Sequence, residues 1–207
     1  TGGGAEITDF DFIIDWGDGT QESFSGDDPD PSHTYAIADT YTVIIQGTFP
    51  HMYSANEGDL DQLVSMDSWG PIEWEDMTLM FALATNLEYN ATDSPDLSKV
   101  TDVRGMFFRT PKFNGDLSEW DVSNVEEMEA MFFEATSFNS DISSWDVSNA
   151  TNMQSMFNKA SSFDADISDW DVSKVTNMTR MFREASSFNQ DLSTWDVSQV
   201  TDMGGMF

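Results

Sequence analysis

Carboxylates are the side chains of this sequence best placed to do chemistry. Asp116, Asp141, Asp166 and Asp191 recur every 25 residues, and Asp121, Asp146, Asp171 and Asp196 form a second column at the same interval. Such a series has two ordinary uses. Calcium takes several hard oxygen ligands, and aspartate side chains in turns accept hydrogen bonds from nearby backbone amides. If successive units stack about 4.8 Å apart, neighbouring carboxylates repel by roughly 1 kcal/mol in water, and by more when part-buried. Turn hydrogen bonds, solvent or bound calcium can each offset that. A second candidate calcium site lies near the N-terminus, where the loop residues Asp27, Asp28 and Asp30 join Asp15 and Asp18 if the chain folds back between them.

Other chemistry has little to work with. The sequence has two histidines, His33 and His51, and no cysteine, so thiolate catalysis, disulfides and zinc–thiolate sites are excluded. With 38 acids, a pair of carboxylates spaced for glycoside hydrolysis carries no information. No phosphate-cradling glycine loop, nucleophile elbow or histidine metal motif is present. The repeated tryptophans Trp120, Trp145, Trp170 and Trp195 could stack on sugar rings. Their strict recurrence beside Leu117 and Val122 equivalents favours a buried structural ladder instead. The chain reads as non-catalytic.

What must position these residues is a repeat. Met-Phe pairs recur at residues 106, 131, 156, 181 and 206, in step with the tryptophans. The unit has the form M-F-x-x-A-x-x-F-N-x-D-[LI]-S-x-W-D-V-S-x-V-x-x-M. Val125, Met128, Met131, Phe132 and Ala135 form an apolar stripe at helical spacing. Ser123 precedes that stripe as an N-cap, and Glu126 completes a capping box. The segment Phe113 to Val122 reads as a short strand with flanking turns. The expected architecture is therefore an α/β repeat solenoid, leucine-rich-repeat-like, with about one short strand and one helix per 25 residues. Residues 53–207 form this array: 53–105 are degenerate capping units, with Pro95 where tryptophan would stand, and 106–207 are regular. The last unit stops at Phe207, so the chain reads as cut from something longer.

Residues 1–52 contain no repeat and read as an antiparallel β module. Phe12 to Trp16 and Tyr41 to Gln46 are β-rich, and Gly17 and Gly19 permit a tight turn. The net charge of −30 makes nucleic acid and anionic membrane poor partners. An aromatic share of 13% is too high for a disordered acidic tail. No apolar run is long enough to insert into a membrane.

The string Asp15-Trp16-Gly17-Asp18-Gly19-Thr20, followed by His33-Thr34-Tyr35 and Tyr41-Thr42-Val43, resembles the PKD domain. Asp39 stands where that family usually has glycine, and the stretch before the turn is short, which implies a partial PKD/Ig-like sandwich. Residues 106–207 closely resemble the 25-residue units of BspA-like surface proteins, and 60–105 resemble them loosely. That resemblance implies a secreted or surface-anchored protein that adheres to a partner. The expected function is a non-catalytic extracellular binding module presenting an acidic face to a protein or glycan on another surface. The alternative is a structural subunit that binds copies of itself end to end in a filament or surface layer. If calcium bridges the aspartate columns, EDTA lowers the melting temperature by several degrees; an unchanged melt removes calcium from them.

Overall fold

In the computed structural model, which describes residues 10–26, 31–52 and 60–207, the alternating run FDFIID forms the first strand, β1 (Phe10–Asp15). Phe10, Phe12 and Ile14 point into a small core with Phe49, while Asp11 and Ile13 face out. β1 pairs antiparallel with β2 (Gln21–Gly26) on one side and β3 (Ile44–Thr48) on the other, giving the order β2-β1-β3. Gly17 has to be glycine: its φ is +78°, and a Cβ there would sit 2.5 Å from the Thr42 carbonyl oxygen. The chain divides into two compact units, Thr1–Pro50 and His51–Phe207, and this sheet is the framework of the first.

The second unit is a stack of coils without helices, which corrects the expected leucine-rich-repeat-like α/β solenoid. Among the described residues no helix occurs, and beyond the two-residue strands β4 (Ser65–Met66) and β5 (Glu88–Tyr89) the coils meet through single parallel bridges. One column of bridges runs Asp102, Glu127, Asn152, Asn177, Asp202. The stripe assigned to a helix is a chain of tight turns. In the coil after Val125, alternate amides point in two directions. Those of Met128, Ala130, Phe132 and Glu134 donate to the carbonyls of Asn152, Gln154, Met156 and Asn158 on the next coil. Those of Met131, Phe133 and Ala135 donate three residues back, to Met128, Ala130 and Phe132. Three-residue spacing of apolar side chains is common to a helix and to successive turns, so the pattern alone does not separate them. Ser123 and its equivalents consequently cap no helix. Their amides are held by the preceding aspartates. The expected strand at Phe113 to Val122 is also turn and irregular chain.

Alternating the amides requires left-handed backbone at two positions per coil. One column is Leu79, Gly105, Ala130, Ser155, Arg180 and Gly205, with φ between +54° and +62°. The other is Leu83, Arg109, Glu134, Lys159 and Glu184, with φ between +56° and +67°. Glycine serves the first column twice, and the second not at all.

Inside, side chains of one type lie over each other. Phe107, Phe132, Phe157 and Phe182 form one file with ring centroids 5.6–5.8 Å apart. Phe113, Phe138, Phe163 and Phe188 form a second at 5.7–5.9 Å. Within a coil the two rings stack at 3.8–4.0 Å. The four tryptophans are buried, and those of the last three coils donate Nε1–H to Leu117, Ile142 and Ile167 carbonyls of the preceding coil at 2.9–3.1 Å. Where Pro95 replaces tryptophan, Trp69 fills the gap and meets Trp120 edge to face at 5.5 Å.

Removing one ring from the middle of a file opens a cavity with neighbours on both sides, so Phe138→Ala is expected to lower stability by about 3–5 kcal/mol, read from urea denaturation. At the left-handed positions, Gly105→Ala is expected to cost about 1–2 kcal/mol, because the new Cβ would also press on Leu79 Cδ2. Ala130→Gly should not destabilise by that amount, since it relieves a strained φ of +54°.

Candidate functional site

Each repeated aspartate is the acceptor of a turn that lies two residues long. Asp116 Oδ1 accepts the Ser118 amide at 3.1 Å and its hydroxyl at 2.7 Å, and Asp141 repeats this with Ser143 at 3.0 and 2.7 Å. Asp166 and Asp191 hold the amides of Ser168 and Ser193. In the second column Asp121, Asp146, Asp171 and Asp196 hold the amides of Ser123, Ser148, Ser173 and Ser198 at 3.0–3.1 Å. Hydrogen bonds from the Ser118, Ser143, Ser148 and Ser173 hydroxyls hold the carboxyls of Asp116, Asp141, Asp146 and Asp171 below their ordinary value. For Asp166, Asp191 and Asp196 the serine amide is the largest cause of the same lowering. Repulsion from Asp141, which pushes Asp116 and Asp166 upward, is weaker than these bonds. The turn bonds thus outweigh the like-charge repulsion between neighbouring carboxylates.

Beside these columns run two ladders of crossing polar bonds. Asn114 Oδ1 accepts the Asn139 amide, Asn139 Oδ1 that of Asp164, and Asp164 Oδ1 that of Asn189, at 2.7–2.8 Å. The backbones of Glu126, Thr151, Thr176 and Thr201 form another, each amide donating to the previous member or to Thr101.

In the first unit, Asp15 and Asp18 are turn residues. Asp15 accepts Gln21 Nε2 and the Gly17 amide, both at 2.9 Å. Asp18 accepts the Thr20 hydroxyl and amide, and His33 Nε2 lies 2.8 Å from its second oxygen. Those bonds, Thr20's first and His33's second, lower the Asp18 carboxyl to about 2. His33 stacks on Trp16 at 4.9 Å, and Tyr35 donates to the Trp16 carbonyl. Asp27, Asp28 and Asp30 lie outside the described residues, so their distance from this turn is not part of the structure. Among the described residues, no three histidine, aspartate or glutamate side chains converge as a metal cage.

Sequence reasoning passed over a groove of about 390 Å³ lined by Thr85, Arg109, Pro111, Glu134, Thr136 and Lys159. Three of these belong to the left-handed column without glycine, and they form an ion-pair chain across three coils. Glu134 receives Arg109 Nε on one oxygen and Lys159 Nζ on the other, both at 2.8 Å. Lys159 first, with Arg109, holds the Glu134 carboxyl below its ordinary value. Behind the cations, Phe108 and Phe133 stack at 4.8 Å, with Arg109 over one ring and Lys159 over the other. The signal was present in the sequence as alternating charge at one repeat position: Arg109, Glu134, Lys159, Glu184.

Charge divides between the two halves of each coil. From 102 to 201, the halves that begin at the bridge column (102–112, 127–137, 152–162, 177–187) carry five acids and six bases. The remaining halves, which hold the aspartate turns, carry twelve acids and one base.

The model of the family described as Mycoplasma protein of unknown function, DUF285, matches residues 75–173 and 142–207. No curated protein and no solved structure matches the chain.

The lowered carboxyls contribute stability above their ordinary value of 3.8, and it is lost as pH falls below that value through the folded ones. Replacing Asp141, Asp166 and Asp191 together by asparagine keeps an acceptor oxygen in each turn. The triple variant is expected to melt below the parent at neutral pH, because the charge-assisted part of each bond is lost, and to lose less on acidification, followed by circular dichroism. Alanine at the same positions should lower the melt at every pH.

Proposed function

Since the chain belongs to the family described as Mycoplasma protein of unknown function, DUF285, we propose, from the build of its coils, that it is a non-catalytic binding module of the extracellular or cell-surface class. The observation that carries this reading is the one-sided charge: twelve acids against one base on the aspartate-turn halves, each repeated aspartate fixed by its own turn. A surface of that kind offers a partner the same spacing of carboxylates coil after coil, so that weak contacts add along its length. The partner it fits is a protein or glycan on another surface. The sequence resemblances to BspA-like repeats, and of residues 15–43 to a PKD module, support the same assignment. A single reactive cleft would be needed for catalysis, and a repeated surface is a different design.

The test is an array of extracellular proteins and glycans probed with the whole chain at low and high salt. Retention that weakens with salt, and that the asparagine triple variant weakens further, is the expected result. Silence across the array, or binding indifferent to both salt and the variant, would remove the acidic halves from any binding role. Particles of many copies under the same conditions would favour self-association into filaments instead.

A further inference from the structure

The groove around Arg109, Glu134 and Lys159 is where this stack departs from its own repetition. The equivalent positions of the Phe108–Phe133 pair are Ala82, Asn158 and Arg183, so the two-ring backing exists only on two coils. The ion-pair chain stands on residues with φ of +56°, +57° and +60°, where glycine would relieve backbone strain. That backbone is common to every coil; what sets these positions apart is the two cations they carry on either side of one carboxylate. The cations also outnumber the carboxylate they share. Arg109 uses Nε and Lys159 one hydrogen on Glu134, and both remain about half exposed, at 50% and 43%. The guanidinium's outer nitrogens and the rest of the ammonium can therefore face a second carboxylate.

We infer that this groove binds a single carboxylate on a compact hydroxylated ring, that is, one uronic-acid residue at the end of an otherwise neutral glycan. The carboxylate would bridge Arg109 and Lys159 opposite Glu134. The Pro111, Thr85 and Thr136 side chains line the same open groove, of about 390 Å³, and give the sugar's C–H face an apolar wall. The net charge of −30 confines the ligand to one carboxylate, because a polyuronate would be repelled by the aspartate halves. This assignment rests on the binding-module reading and adds a ligand class to it, at a place separate from the acidic halves.

The probe is sodium glucuronate, titrated into the whole chain and followed by amide NMR shifts, with glucose, acetate and a capped glutamate as comparisons. The expected result is saturable shifts at Arg109, Glu134 and Lys159 with glucuronate, weaker ones with acetate, and none with glucose. Arg109→Ala and Lys159→Met should each weaken binding about tenfold or more, while Lys159→Arg retains it. Glu134→Gln removes the competing carboxylate and should tighten binding by about fivefold, a gain that a merely structural ion pair would not give. Absence of saturable shifts, or equal binding by Glu134→Gln and Arg109→Ala, overturns the proposal. Capped glutamate binding as tightly as glucuronate overturns the sugar assignment in favour of an acidic peptide. The asparagine triple variant of the acidic half should bind glucuronate unchanged. Array binding without glucuronate binding would sink this inference alone, and glucuronate binding without array binding would sink only the reading of the acidic halves.

Discussion

Four backbone amides in each regular coil find their acceptors on the coil that follows, and this obligation governs the rest of the second unit. Met153, Ser155, Phe157 and Lys159 donate to Asn177, Thr179, Met181 and Arg183 just as their counterparts do one coil earlier. A buried amide left unpaired costs about 1–3 kcal/mol, so slipping one coil by a residue would forfeit roughly the stability of a whole domain. Coil length is held at 25 residues for that reason, and the core inherits the constraint. Rings of one type must lie over rings of the same type, because the backbone gives each the same height and heading.

That logic explains which parts of the molecule were legible before its coordinates. Period and core were open to reading, since the buried columns of methionine, phenylalanine, tryptophan and valine carry the repeat in their residue types. The local conformation was not. Val125, Met128 and Met131 are spaced as on a helix, yet their coil closes each three-residue step as a turn and sends the intervening amides to its neighbour. Ser123 looks like an N-cap for the same reason: a short polar side chain before an apolar run marks a helix start and a turn equally well. What would have separated the two is the need for left-handed backbone at Ala130 and Glu134, which neither residue type announces. The aspartates could be read as turn residues from their chemistry alone. The groove could not, because the alternation Arg109, Glu134, Lys159 becomes an ion-pair chain only once coils are known to stack in register.

Repetition and variation divide the work. Positions bound by the stacking rule, namely the inward rings and the turn aspartates, repeat almost without change. The outward positions of the bridge-column half are released from it, and there the sequence alternates sign, places two phenylalanines side by side and gathers six of its eight bases. A repeat fold of this kind obtains rigidity from what recurs and individuality from what does not, with both written on the same coil.

Neighbour-only bonding also sets how the second unit would respond to force. Tension along the chain reaches the outermost coil first, whose inter-coil amide bonds would open one after another while every coil beneath keeps its own set. Each coil that peels away frees 25 residues, about 80–90 Å of extended chain. Under such a load the stack would lengthen in steps and dissipate work at each one.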